Sequence, residues 1–182
     1  MVNNQLRVVL AQIDPVVGDV AGNTRKVIAA TQQARQEHDA ELVVFPELCL
    51  TGYPPEDLLL RPGLLKRVDK ALQTLCQQID DITIIVGHPL GEVGKELFNA
   101  ASVINKKQIT AQYLKQKLPN YGVFDEKRYF IEGREATIIN INQFKIGLTI
   151  CEDIWFIEPS SQAVDSGAEI IMNLNASPFI IF

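Results

Sequence analysis

The sequence predicts a mixed α/β fold around one hydrophobic core, and three observations lead to this prediction. Apolar runs of strand length alternate with amphipathic helical repeats in the first half of the chain. Pairs of strand-like runs around short polar turns, which are typical of hairpins, follow in the second half. The 182 residues, of which 47% are hydrophobic, suffice for one domain with a sizeable core. This order of elements indicates a mixed sheet whose buried faces are covered by helices.

The first half of the chain contains three predicted strands and two predicted helices. Each strand is a continuous apolar run that ends at sheet-breaking residues, such as Asp14-Pro15 after the first and Gly87-His88-Pro89 after the third. The helices have apolar residues at helical spacing, and Asn23-Thr24 offers a cap for the first. The predicted order is strand 6–13, a helix that includes 27–34, strand 41–45, helix 64–79 and strand 82–86.

The second half is predicted to form two hairpins, a short helix and a last strand. A long irregular segment, 115–131, separates the hairpins because it combines many charges with Pro119 and Gly122. The predicted order is hairpin 98–104 with 108–113, the irregular segment, hairpin 137–141 with 144–150, helix 160–166 and strand 169–174.

Composition excludes several classes of function. The net charge of −5 and the lack of a basic block argue against nucleic acid or an anionic membrane as a partner. No apolar run approaches the roughly 20 residues of a membrane span, and residues 1–5 lack the features of a signal peptide. Three scattered cysteines, Cys49, Cys76 and Cys151, do not form a disulfide framework. We therefore expect a cytoplasmic protein.

Three reactive side chains follow ordered elements. Glu47 follows the second strand, Lys115 follows the first hairpin, and Cys151 ends the strand 144–150. Sites in α/β sheets gather outside strand ends, so these side chains are candidates for one Glu-Lys-Cys site. Such a site could perform covalent catalysis at an amide or nitrile, with a thiolate nucleophile, a carboxylate base and an ammonium near the oxyanion. Lys117 is a second candidate for the lysine.

The same residues also have structural interpretations. An isolated Cys151 is more often a small buried hydrophobe than a nucleophile, and Glu47 could be a solvated loop acid. His38 and His88 lack metal-ligand spacing with another His or Cys, so no metal site is expected. No Gly-rich phosphate-binding loop occurs, so neither ATP nor another cofactor is expected in this chain.

Six segments carry a resemblance to a known family. Three short motifs occur in the order of the nitrilase (carbon–nitrogen hydrolase) superfamily, and three longer segments are similar to the glutaminase domain of the glutamine-dependent NAD(+) synthetase family. The short motifs are FPEL at 45–48, KQKLPNY at 115–121 and CEDIW at 151–155. The longer ones are TGYPPEDLL at 51–59, LPNYGVFDEKRYF at 118–130 and NLNASPF at 173–179.

The resemblance implies a nitrilase-type α-β-β-α sandwich that is incomplete at its C-terminus. Residues 1–182 would be the N-terminal part of the glutaminase domain, without the C-terminal synthetase domain. The family domain hydrolyses glutamine to glutamate and ammonia through a cysteine thioester. The synthetase domain then uses the ammonia, with ATP and Mg²⁺, to amidate deamido-NAD(+). Family members also assemble through the glutaminase domain, so a homo-oligomer is expected.

The resemblance also assigns roles to residues. Glu47 would be the general base and Cys151 the nucleophile, and the family spacing to Leu-Pro selects Lys115 over Lys117. Candidates for holding the glutamine are Tyr121, Glu152 and Ser177, and Glu126 is a possible second carboxylate near the site. Two alternatives stay open: a free-standing nitrilase-type amidase that acts on another small amide, and an inactive truncated remnant.

Overall fold

The structure, a computed structural model, describes residues 5–177, and the strands in this range form two sheets. In the first sheet, the first three strands are parallel. The fourth strand pairs antiparallel with the third, and the fifth pairs antiparallel with the fourth. In the second, the central strand pairs antiparallel with one neighbour and parallel with the other. The first sheet comprises β1 (Val8–Leu10), β2 (Leu42–Val44), β3 (Thr83–Gly91), β4 (Leu97–Asn105) and β5 (Gln108–Leu114). The second comprises β6 (Ile138–Ile141), β7 (Phe144–Ile150) and β8 (Ile170–Leu174).

The two sheets pack face to face between outer layers of helix. Helices α1 (Val20–His38) and α2 (Pro62–Gln78) cover the outer face of the first sheet, where Val27 and Leu75 belong to the same core as Val43. Helix α3 (Ile157–Asp165) packs on β7, because Gly147 leaves room for the methyl group of Ala163. The layers therefore run helix, sheet, sheet, helix, which confirms the α-β-β-α sandwich.

A second core fills the space between the sheets. Ile85 and Val103 from the first sheet belong to one buried cluster with Ile146 and Leu148 from the second. Because every one of these side chains is at most 2% exposed, the two sheets are packed at a fixed separation. This separation sets the distances within the candidate site.

Strand β3 does not stop at Gly87-His88-Pro89, as the sequence predicted, but continues to Gly91. Beyond Ile85 the strand pairs with β4 alone, since β2 has already ended. A proline on a strand with one open side removes no ladder hydrogen bond, so Pro89 is tolerated. Strand β1 is also shorter than expected and lies at the sheet edge, which explains why Leu10 is exposed rather than buried. Helix α3 begins three residues earlier than expected.

None of the helices in the described range 5–177 is long and apolar enough to cross a membrane.

His88 lies in β3 as a buried neutral imidazole. Its Nδ1 is 3.0 Å from the carbonyl oxygen of Pro89, and its Nε2 is 2.6 Å from Oγ of Ser102. Because a carbonyl can only accept, Nδ1 donates to Pro89 and Nε2 accepts from Ser102. Burial lowers the pKa of His88 to about 4 from its ordinary value of 6.5.

We expect this histidine to make stability depend on pH between about 6.5 and 4. The unfolded chain takes up a proton in this window while folded His88 does not, so the stability present above pH 6.5 falls as the pH drops. The loss reaches ~3 kcal/mol at full protonation. Urea unfolding from pH 4.5 to 7 should give a shallower slope for His88→Gln than for the parent. Equal slopes would contradict the assignment.

Candidate active site

The ends of β2, β5 and β7 bring the three predicted reactive residues into one buried cluster. Nζ of Lys115 lies 2.6 Å from Oε1 of Glu47, and neither side chain is exposed to solvent. Cys151, which follows the last residue of β7, is buried beside them, and the charge of Glu47 acts on its thiol. The cluster sits where the two sheets meet, outside the strand ends.

A second carboxylate completes this arrangement. Nζ of Lys115 donates to both Oε1 and Oε2 of Glu126, each at 2.9 Å. The ammonium therefore bridges two carboxylates, and its three hydrogens are directed at them. The sequence placed Glu126 near the site only as a possibility, and the structure puts it in direct contact with the lysine.

Electrostatics keep the proton on the thiol at rest. Burial raises the pKa of Cys151 to about 12, and the charge of Glu47 adds to this effect while that of Lys115 opposes it. Burial also raises the pKa of Glu47, although Lys115 counteracts it. Burial acts to lower the pKa of Lys115, but the charges of Glu47 and Glu126 outweigh it and raise that pKa. The resting cluster therefore contains a neutral thiol and a charged ammonium.

The backbone at Cys151 turns sharply after β7. Its φ of 48° is in the left-handed region, which a non-glycine residue adopts only when its surroundings enforce it. A 3-10 turn, Cys151–Trp155, begins there, and the first N–H groups of such a turn have no acceptor within it. Within residues 5–177 the backbone N–H of Glu152, which directly follows the cysteine, has no hydrogen-bond acceptor, so it can donate to a ligand.

Lys117, the alternative candidate for the lysine, lies outside the cluster. Its ammonium is 3.4 Å from Oε2 of Glu158 and lies over the ring of Phe156. Its side chain is 30% exposed, whereas that of Lys115 is fully buried.

Two of the three candidate substrate residues meet at the edge of the cluster. The hydroxyl of Tyr121 donates to Oε1 of Glu152 at 2.9 Å, and Glu152 directly follows the cysteine. Tyr121 is half exposed and packs edge-on against Phe124. Ser177 lies beyond β8, is exposed, and has no hydrogen bond to the cluster among residues 5–177.

Sequence reasoning missed two residues that complete the polar network. Nδ2 of Asn99 donates to Oε1 of Glu47 at 2.8 Å, and the hydroxyl of Tyr53 donates to Oε1 of Glu126 at 3.0 Å. Asn99 lies within the apolar strand β4, and an amide buried in such a run is a signal that it has a polar partner. Tyr53 lies in the segment 51–59 that carries the family resemblance, but nothing in that segment marks it as a partner of Glu126.

Oε2 of Glu47 is buried and accepts no hydrogen bond from any group in the described residues. The other oxygen of this carboxylate is occupied by Lys115 and Asn99. The free oxygen is thus the one that can take a proton from a neighbouring donor.

Within residues 5–177, no group of three or more His, Cys, Asp or Glu side chains could hold a metal ion. The two clustered carboxylates share the ammonium of Lys115, which occupies the position that a cation would need.

Gly87 of β3 allows the turn that carries Glu47 to approach the sheet. A Cβ at this position would lie 2.5 Å from the amide nitrogen of Leu48 and 2.8 Å from Cα of Glu47. Both distances are far below van der Waals contact, so a side chain here would displace the turn.

Replacing Gly87 with alanine is expected to lower the free energy of unfolding by ~1–3 kcal/mol, because the turn around Glu47 must move. Gly63→Ala in α2 is the matched control, since its nearest neighbouring atom is 3.7 Å away. This variant should be neutral or slightly stabilising. Urea unfolding of both variants checks the prediction, and equal effects would contradict it.

The fold of this chain is similar to those of known proteins. The structure of glutamine-dependent NAD+ synthetase from Acinetobacter baumannii in complex with ADP superposes with a TM-score of 0.92 at 40% identity, over 97% of this chain and 33% of that chain. An amidase from Nesterenkonia sp., a member of the nitrilase superfamily, superposes with a TM-score of 0.83 at 24% identity, over 93% of this chain and 64% of its own. The fold is therefore that of the nitrilase superfamily.

The sequence also assigns the chain to a family. The sequence pattern of the carbon-nitrogen hydrolase family matches residues 7–180. The chain belongs to the carbon-nitrogen hydrolase family.

The chain corresponds to only part of the length of its relatives. The glutamine-dependent NAD(+) synthetase of Xanthomonas campestris pv. campestris is 44% identical over 176 residues, which are 96% of this chain and 32% of that protein. The synthetase of Thermotoga maritima is 45% identical over 177 residues, 96% of this chain and 31% of that protein. The chain thus spans about a third of the length of these relatives.

Proposed function

We propose that this chain hydrolyses the side-chain amide of glutamine to glutamate and ammonia through a thioester on Cys151. The observation that carries the proposal is the buried ammonium of Lys115, which bridges Glu47 and Glu126 next to the cysteine. The identity of about 44% to glutamine-dependent NAD(+) synthetases supports glutamine as the amide.

The first half-reaction forms the thioester. Because the pKa of the Cys151 thiol is raised to about 12, its proton must leave during the attack rather than before it. Glu47 takes this proton on its free oxygen, and its own raised pKa makes it a stronger base. The sulfur bonds to the amide carbon, and the carbonyl oxygen becomes an oxyanion. The charge of Lys115 and the backbone N–H of Glu152 stabilise it.

Collapse of the oxyanion completes the first half-reaction, and hydrolysis of the thioester is the second, so each half-reaction releases one product. The oxyanion collapses, the carbon–nitrogen bond breaks, and Glu47 returns its proton to the departing amine, which leaves as ammonia. Water then attacks the thioester carbon with Glu47 again as the base, and the sulfur leaves with a proton as glutamate forms. Glu126 keeps Lys115 charged and in place through both steps.

Tyr121 and Glu152 are proposed to hold the amino-acid end of the substrate. The carboxylate of Glu152 would bind the α-ammonium, and Tyr121 orients that carboxylate through its hydrogen bond. Ser177 is proposed as a further contact for the substrate.

The ammonia is proposed to serve a synthetase domain that amidates deamido-NAD(+) with ATP and Mg²⁺, as the name of the relatives suggests. Neither ATP nor Mg²⁺ is proposed to bind the residues of this chain. A cytoplasmic location and assembly with further copies of the chain are part of the same proposal.

Ammonia release from a panel of amides tests the proposal. We expect kcat/KM for glutamine to exceed that for asparagine, and for an aliphatic amide without α-amino and carboxylate groups, by about 100-fold or more. A preference for the simple amide would instead indicate a free-standing amidase. If folded protein released ammonia from none of them, the proposal would be wrong.

A further inference from the structure

Asp153 is a buried carboxylate that connects the two sheets at the active site. It lies two residues after Cys151, is fully buried, and accepts four hydrogen bonds. Among residues 5–177 it forms no hydrogen bond or ion pair with the side chains of Glu47 and Lys115, although the charge of Lys115 acts on it, and the proposed reaction does not use it.

One oxygen of Asp153 holds the segment that carries the lysine. Oδ1 accepts from the backbone N–H of Gln116 at 3.0 Å and from that of Lys117 at 2.7 Å. These are the two residues that follow Lys115, and they leave the first sheet at the end of β5. Two hydrogen bonds from consecutive peptide groups to one oxygen fix the direction in which this backbone runs.

The other oxygen spans the gap between the sheets. Oδ2 accepts from the backbone N–H of Ile150 at 2.9 Å and from the hydroxyl of Tyr113 at 2.8 Å. Ile150 is the last residue of β7, directly before the cysteine, and Tyr113 lies in β5, two residues before Lys115. One side chain thus joins the backbone next to the nucleophile to both sides of the lysine.

A cap for the turn after β7 would explain only one of these four bonds. The contact with Ile150 is of the kind that an acidic residue makes when it reaches back to the start of a helical turn. Of the other three donors, Tyr113 lies in β5, and Gln116 and Lys117 lie in the segment that follows it, so the carboxylate connects layers rather than ending one element.

From this geometry we propose that Asp153 is the positioning residue that sets Lys115 and Cys151 at their working separation. Its two oxygens act as a clamp between the ends of β5 and β7. The proposal deepens the proposed amide hydrolysis, since it names the group that keeps the cation beside the reacting sulfur. Only a carboxylate meets the requirement, because all four partners are donors and both oxygens must accept.

Asp153→Asn tests the clamp with almost no change in shape. An asparagine has one accepting oxygen, so its NH₂ group must face backbone N–H donors on one side. We expect alkylation of Cys151 by iodoacetamide, followed by peptide mass spectrometry at pH 8, to slow by about 10-fold or more, because the ammonium no longer supports the thiolate. With glutamine, kcat should fall by a similar factor while KM stays within about threefold.

Two further variants separate positioning from general stability. Tyr113→Phe removes one bond from the clamp, keeps the ring, and should slow alkylation by about threefold. Val68→Ala lowers stability in the remote core of α2 and should leave the alkylation rate within about twofold of the parent. Alkylation needs no amide substrate, so these rates test the clamp even if glutamine is not hydrolysed.

Each result decides for or against the clamp. Folded Asp153→Asn that alkylates within twofold of the parent would overturn it, as would an equal slowing in Val68→Ala. If circular dichroism shows that Asp153→Asn does not fold, Tyr113→Phe decides: a slowing of about threefold supports the clamp, and a rate within 1.5-fold of the parent overturns it.

Discussion

Replacing Cys151 with alanine is expected to abolish glutamine hydrolysis and leave the fold intact. The loss should reach about 10,000-fold or more, because the substitution removes the thiol that forms the covalent intermediate. Removing one sulfur from a small side chain costs little packing, so the thermal midpoint should stay within a few degrees of the parent. Ammonia release under saturating glutamine measures the activity.

Cys76→Ala is the matched control. Cys76 is a partly buried thiol in α2, remote from the sheet ends, and its replacement should leave ammonia release unchanged. Residual hydrolysis by Cys151→Ala above one per cent of the parent rate would mean that another group performs the attack.

Replacing Lys115 with methionine is expected to remove activity and also to destabilise the protein strongly. Without the ammonium, two buried carboxylates, Glu47 and Glu126, lose the cation that bridges them. Breaking a buried ion pair in this way costs ~3–5 kcal/mol. One carboxylate should then take up a proton, its pKa raised above its value in the unfolded chain. The stability of the variant should therefore rise as the pH falls through that raised pKa.

Lys117→Met is the control for this experiment and tests the alternative lysine. The ion pair of Lys117 with Glu158 lies near the surface, so its loss should change the free energy of unfolding by less than ~0.5 kcal/mol. Ammonia release and urea unfolding of both variants would give the comparison. If Lys117→Met were the inactive variant and Lys115→Met the active one, the assignment of the lysine would be reversed.

The strand ends that position the site could be predicted from local sequence. The apolar run before Cys151 forms β7, and the run before Glu47 forms β2, because buried strands need continuous apolar sequence. The α-β-β-α sandwich followed from the family resemblance rather than from composition or periodicity. The choice of Lys115 over Lys117 also depended on family spacing, since two lysines two residues apart look alike locally.

Contacts between distant segments could not be predicted in this way. Asn99 and Tyr53 reach the carboxylates from parts of the chain that no short pattern relates to Glu47 or Glu126. The extension of β3 through Pro89 depended on which strands lie beside it, and pairing partners are not encoded in the strand itself. Burial of these polar groups is a property of the assembled layers.

Covalent trapping of the nucleophile tests the central claim most directly. The protein is incubated with a glutamine analogue that carries an electrophilic chloromethyl ketone in place of the amide, and the adduct is located by intact-mass and peptide mass spectrometry. We predict one adduct per chain, on Cys151, that forms more slowly when glutamine is added. An adduct spread over Cys49, Cys76 and Cys151, or no adduct on folded protein, would contradict a thioester mechanism at this site.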